Sequence, residues 1–196
     1  MAEESARHEN LNVPSVLLLS YARLMKKISF LAILSLLLSG CGAPAALTND
    51  GEIVSCSSIE INGKVLKGTS LECLDQKSST ILESIKGPVI INVWGSWCPP
   101  CRQELPLLRE AYRSGKVKII GIDIDEPKIE TGRNFAIKAG ITWPNLIDPD
   151  GKTKSSFGLG VPVTWFLNEK GEVTYRHIGA FTSAKQLDEE IKKYYD

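Results

Sequence analysis

Apolar residues recur along this chain with two rhythms, one of strands and one of helices. Residues 89–94, VIINVW, form an apolar run broken only by Asn92, and residues 117–122, VKIIGI, form a second. Short runs of this kind predict strands buried on both faces. Between them, residues 100–114 follow helical spacing, with Leu105, Leu108 and Ala111 on one face. A helix is expected over 128–138, with Pro127 near its start and Gly140 as its stop. Another is expected over 183–195, striped by Leu187, Ile191 and Tyr194 or Tyr195.

Nearer the N-terminus, residues 58–61 and 65–74 flank Asn62-Gly63-Lys64, the pattern of a hairpin. Residues 78–85 read as a short helix with Ser78 or Ser79 as N-cap. Residues 141–147 predict a strand before the turn Asp148-Pro149-Asp150-Gly151. Residues 163–167 and 172–177 flank Asn168-Glu169-Lys170-Gly171 as a closing hairpin. Alternating strands and helices followed by an antiparallel hairpin imply an α/β protein with a central mixed sheet flanked by helices.

The N-terminal residues belong to another regime. Met25-Lys26-Lys27 precedes the apolar stretch 28–38, and Ser39-Gly40-Cys41 follows. A basic start, a short apolar run and small residues describe a secretory signal. The apolar stretch is about half the ~20 residues a membrane-spanning helix needs. Leu38-Ser39-Gly40-Cys41 looks like a bacterial lipobox, with Cys41 lipid-modified as the mature N-terminus. An uncleaved signal anchor reaching through Leu47 is the alternative. Glu3, Glu4 and Glu9 are out of place in a signal n-region, so Met25 is read as the start. Residues 1–40 are thus a leader and 41–56, small and polar, a tether, with the folded domain over 57–196. This organisation predicts a chain held at the extracytoplasmic face of the bacterial cell membrane.

Composition narrows the partners. Lys plus Arg and Asp plus Glu number 23 each, so no basic excess points to nucleic acid. Export brings an oxidising compartment in which disulfides persist.

Against that background the segment WGSWCPPC, residues 94–101, carries the chemistry. The thiolate is the attacking species in disulfide exchange, and a CxxC at a helix N-terminus favours it through free backbone N–H groups and the helix dipole. Proline is welcome in a first helical turn. Cys98 is therefore read as the nucleophile at the helix start and Cys101 as the resolving thiol. A zinc site built with Cys56 and Cys73 is disfavoured, because those two lack paired spacing.

The segment VIINVWGSWCPPCRQELP resembles the exported thioredoxin-fold oxidoreductases of the TlpA/ResA/DsbE branch. Asn92, Glu104, Pro106 and Gly160-Val161-Pro162 agree at their separate positions, and the likeness covers roughly residues 58–196. It implies a thioredoxin-like fold with an N-terminal β-hairpin and the branch's extra helix and strand within 123–151. In two places the chain departs from that pattern. The approach 157–162 is one residue short, and Val163 stands where relatives often carry Glu or Thr.

The resemblance implies a cis-proline at Pro162, whose bland alternative is a loop proline. It implies that the Val161 backbone pairs with an extended substrate beside Cys98. Trp97, with Pro99 and Pro100, would shape the docking surface, whereas Trp94 belongs to the core. Glu104 is either a proton shuttle for Cys101 or an exposed helix glutamate. Cys56 and Cys73 flank the expected hairpin and could close a structural disulfide worth ~3 kcal/mol, or form a second redox pair.

The implied task is a disulfide reductase acting on exported proteins with disulfides, apocytochrome c among them, re-reduced by a membrane thiol–disulfide electron donor. The opposite direction, oxidation of secreted chains, is the alternative. A copper chaperone using the same thiols with His177 is the rival from another class, although such proteins have three residues between their cysteines. A peroxidase lacks support, since the PxxxTxxC pattern is absent. Neither a cofactor beyond the cysteine pair nor a metal is implied.

Overall fold

A computed structural model describes residues 52–158 and 160–195. Residues 1–51, with Cys41, the leader and most of the tether, lie outside the described residues. Seven strands form one mixed sheet: β1 Ser70–Cys73, β2 Ser79–Ile81, β3 Val89–Trp94, β4 Ile119–Ile124, β5 Asn145–Asp148, β6 Val163–Leu167 and β7 Val173–Ile178. The helices are α1 Pro99–Arg113, α2 Ile129–Lys138, α3 Lys154–Phe157 and α4 Ala184–Tyr194. The strand order is β2-β1-β5-β4-β3-β6-β7. β3, β4 and β5 run parallel, and β6, β7, β1 and β2 add antiparallel margins.

β3 sits near the centre with every residue buried. Its side chains alternate between two cores, as a pleated strand requires. Ile90 and Trp94 join the core under α1, α2 and α4, with Leu105, Leu108, Ala136, Phe166, Leu187 and Ile191. Val89, Ile91 and Val93 face the other core, with Leu71, Ile122, Trp165 and Phe157 of α3. The lone polar interruption, Asn92, points to the helix side, where its Nδ2 donates to Glu104 and Thr164. At the β4 crossing, Gly121 leaves room for the hydrogen bond from Trp94 Nε1 to Asn145 Oδ1 (3.0 Å), since a Cβ would strike both groups.

Two expectations near the N-terminus give way. The hairpin is formed by β1 and β2, not by residues 58–61 and 65–74. Asn62-Gly63-Lys64 does turn, but Ile61 makes only an isolated bridge to Ile85. The strand pairing starts where side chains begin to alternate, with Leu71 and Cys73 in and Ser70 and Glu72 out. The reversal occurs at Asp75, whose carboxylate accepts from Lys77 N–H, and Gln76, at φ 60°.

The expected helix over 78–85 is instead β2 followed by a 3-10 turn, Leu82–Ser84. Thr80 and Ile81 are β-branched and pair across to β1, which outweighs a helix too short to stand alone. The packed body also starts earlier than residue 57, because Ile53 and Cys56 are already buried. α3 has no counterpart in the sequence reading. No helix among the described residues is long and apolar enough to cross a membrane.

Candidate active site

The site lies where β3 ends and α1 begins. Gly95 lets the turn fold back, since a Cβ there would collide with the Trp97 indole. Cys98 caps α1 in extended backbone (φ −88°, ψ 106°), and its Sγ accepts from Cys101 N–H at 3.1 Å. Pro99 and Pro100 occupy the first two helical positions, where no intrahelical donor is needed. Cys98 and Cys101 form a disulfide with Cα atoms 5.4 Å apart. Both are nearly sealed, 1% and 5% exposed, while the neighbouring Trp97 is 48% exposed. Trp97 Nε1 donates to Ile124 O (3.3 Å) at the end of β4.

Opposite the sulfurs runs the loop before β6. The Val161–Pro162 peptide is cis, in agreement with the expectation for Pro162, and Val161 O lies 3.7 Å from Cys98 Sγ. A second cis peptide, Gly87–Pro88, precedes β3 and was not foreseen.

Glu104 is fully buried, which removes the exposed-glutamate alternative. Its Oε1 accepts from Asn92 Nδ2 (2.9 Å), and its Oε2 accepts from Phe181 N–H (3.0 Å). Asn92 Nδ2 also reaches Thr164 Oγ1 (3.1 Å) on β6. Burial pushes the Glu104 carboxyl up to about 7, against the pull of those two donors. Beside it, Asn92, Trp94, Cys101, Leu105, Phe135, Ile141 and Trp143 enclose a void of about 10 Å³, the size of one water.

Cys56 and Cys73 also form a disulfide, buried in the core opposite α1. Cys56–Cys73 and Cys98–Cys101 are thus two separate disulfide-bonded pairs. His177 is stacked on Phe181 (4.0 Å between centroids) and lies 3.1 Å from Glu190 Oε1, the contacts of a packed strand residue. Among the described residues, no three His, Cys, Asp or Glu side chains are grouped to hold a metal.

Some residues of the site carry no sequence signal. Arg102 donates from Nε to Ser96 O (2.9 Å) and also from Nη2, fixing the turn from within α1. Glu126 accepts from the Ser96 N–H and hydroxyl across the loop after β4. Phe181 and Thr164 join only through the tertiary fold, so spacing could not have revealed them.

Residues 49–176 match the AhpC/TSA family. The thiol-disulfide oxidoreductase ResA of Bacillus thuringiensis subsp. konkukian is 32% identical over 174 residues, 86% of this chain and 98% of that protein. Its counterpart in Bacillus thuringiensis strain Al Hakam is 36% identical over 117 residues, 57% of this chain and 66% of that protein. The crystal structure of StoA from Bacillus subtilis superposes with a TM-score of 0.52 at 28% identity, covering 62% of this chain and 93% of that one. The buried CxxC pair at a helix start, the cis-proline facing it and these likenesses agree: the chain belongs to the AhpC/TSA family of thioredoxin fold, among its thiol-disulfide oxidoreductases.

Proposed function

We propose that this oxidoreductase works as a disulfide reductase on exported proteins, with the Cys98 thiolate as nucleophile. Cys98 Sγ attacks a target disulfide, forming a mixed disulfide and releasing one target sulfur as a thiolate. Cys101 then gives up its proton and attacks Cys98 Sγ, releasing the second target thiolate and leaving the 98–101 bridge oxidised. Two electrons pass to the target. A membrane thiol–disulfide donor restores the dithiol. Glu104, with a carboxyl near 7, is suited to take the Cys101 proton at neutral pH, and the water-sized void beside Asn92 offers a route.

The observation that carries the direction is the scarcity of donors at Cys98. Prolines at the first two helical positions have no N–H, so Cys101 N–H is the sulfur's one hydrogen-bond donor among the described residues. The other close polar atom, Val161 O, is an acceptor and favours the thiol over the thiolate. A weakly stabilised thiolate leaves the reduced pair a good electron donor.

The backbone of Val161 supplies an edge for an extended substrate beside the sulfur, flanked by half-exposed Trp97 and by Pro99 and Pro100. Apocytochrome c is the substrate implied by the family resemblance, and acylation at Cys41 would hold the enzyme at the extracytoplasmic membrane face. The test is the reduction potential of the Cys98–Cys101 pair. A value toward the thioredoxin end, about −270 mV, is expected, and one near the DsbA value of about −120 mV would reverse the direction. Metabolic labelling with a fatty acid, abolished in Cys41→Ala, tests the anchor.

A further inference from the structure

Two buried acids stand behind the turn that presents Cys98. Asp123, in β4, is 2% exposed, and neither of its carboxyl oxygens meets a donor. Glu126, 9% exposed, spends both oxygens on Ser96: Oε1 accepts the N–H at 2.5 Å and Oε2 accepts the hydroxyl at 3.0 Å. Asp123 and Glu126 stand three residues apart at the end of β4, and after burial it is the charge and hydrogen bonding of Glu126 that act on the Asp123 carboxyl. A buried carboxylate without donor or cation is costly, and two side by side repel. A carboxylic acid, by contrast, has a proton to donate.

We infer that Asp123 and Glu126 share one proton, and that this proton holds Glu126 on Ser96 and so positions the turn that sets Cys98 at the head of α1. The proposal rests on the Cys98–Cys101 pair being the redox centre. Asp123 and Glu126 are positioning residues; neither touches the sulfurs.

The surroundings are built for the protonated form. Gly132 of α2 lies flat against Asp123, and a Cβ there would overlap its Oδ2, so helix backbone seals the carboxyl from solvent. On either side of β4, Trp94 of β3 and Ile147 of β5 are the register partners of Asp123, and neither side chain carries charge. The nearby charged groups are engaged elsewhere or face solvent. Arg102 of α1 is bound to the Ser96 carbonyl. Asp125 is paired with Lys154 of α3 at 2.8 Å. Asp148 of β5 is saturated by the Lys152 and Thr153 N–H groups and the Thr153 hydroxyl. Glu130 and Lys138 of α2 line the open groove beside Ser96 and Arg102. Among the described residues, neither Asp123 nor Glu126 is in an ion pair.

Burial first, then the adjoining Glu126 charge and hydrogen bond, push the Asp123 carboxyl up to about 9. Below that pH the link from Asp123 through Glu126 to Ser96 is intact. Above it, two adjoining negative charges separate and the Ser96 clamp is lost.

The test is a carbon-13 titration of side-chain carboxyls in the full chain, with the Asp123 signal assigned by its loss in Asp123→Asn. Asp123 is expected to remain protonated through neutral pH and to titrate near 9, with the Ser96 amide shifting at the same midpoint. An asparagine amide donates to Glu126 at every pH, so in Asp123→Asn the Ser96 amide should lose that step. The alkylation rate of reduced Cys98 in the wild type should fall below that of Asp123→Asn only at alkaline pH, whereas Asp123→Leu should lose the neutral rate as well.

An Asp123 already ionised at pH 7 would overturn the proposal, and so would a Ser96 step that survives in Asp123→Asn. The wild-type titration decides the protonation even if a variant fails to fold. Failure of the redox reading would look different: no disulfide exchange by the wild type, with the Asp123 midpoint unchanged.

Discussion

Replacing Pro100 by alanine returns a backbone N–H to the second position of α1, one of the two helical positions whose amides an N-cap side chain captures. Cys98 Sγ now takes the amide of the third position, from Cys101 at 3.1 Å. A further hydrogen bond to a charged acceptor is worth about 1.5–3 kcal/mol when well made. At the low end it lowers the Cys98 thiol by about one pKa unit. Because it acts on the thiolate and hardly on the disulfide, the reduced form gains that energy in full when the potential is measured at a pH above the Cys98 pKa. For a two-electron couple, about 1.4 kcal/mol corresponds to about 30 mV, so the potential of Pro100→Ala should rise by about 30–60 mV.

The assay is equilibration against glutathione or dithiothreitol buffers, with thiol trapping to read the oxidised fraction. Pro99→Ala is the control, since the first helical N–H is not one that the cap normally takes, and its potential should move much less. A Pro100→Ala potential equal to or below the wild-type value would refute the donor argument, and with it the physical reason for assigning the reductase direction.

Other expectations can be checked alongside. Glu104→Gln should keep the hydrogen bond from Phe181 but lose the proton acceptor, slowing resolution of a trapped mixed disulfide about 10²-fold or more and removing the rate inflection near pH 7. Cys56→Ser/Cys73→Ser should cost about 3 kcal/mol in urea unfolding while the 98–101 potential stays unchanged; a shifted potential would instead support a second redox pair. Asp123 rises from 3.8 when unfolded to about 9 when folded, so its favourable contribution is complete below about pH 4 and is lost as pH climbs through 9. Asp123→Asn should therefore flatten the decline of urea stability across that window. Gly132→Ala should destabilise the fold, because the new methyl overlaps the Asp123 carboxyl.

The legible parts of the chain were those in which one short stretch carries its own instructions. The apolar run of β3, the helical spacing after Cys101 and the Asn168–Gly171 turn each need only neighbouring residues to be read. Residues 58–85 resisted because Ser70 to Ile81 are only weakly apolar. Their strands exist because β1 finds β5, whose Leu146 and Ile147 lie far along the chain.

The site divides in the same way. Cys98, Cys101 and Pro162 announced themselves through residue type and spacing. Glu104 did not reveal its burial, since a glutamate beside Leu105 fits an exposed helix face equally well until Asn92 and Phe181 close over it. Asp123 and Glu126 look like surface charge in the run GIDIDEPK, and only the close approach of Gly132 makes an acid there exceptional.

The near-complete burial of Cys98 and Cys101 also has a kinetic side. Small thiols in the surrounding fluid meet almost no sulfur surface, so uncatalysed leakage of electrons to them is slow. A docked polypeptide edge can be aligned at Val161 while it displaces the local cover. Under the proposed reductase function, slow exchange with solutes and fast exchange with proteins would insulate the reducing equivalents, letting the pair stay charged in an oxidising compartment.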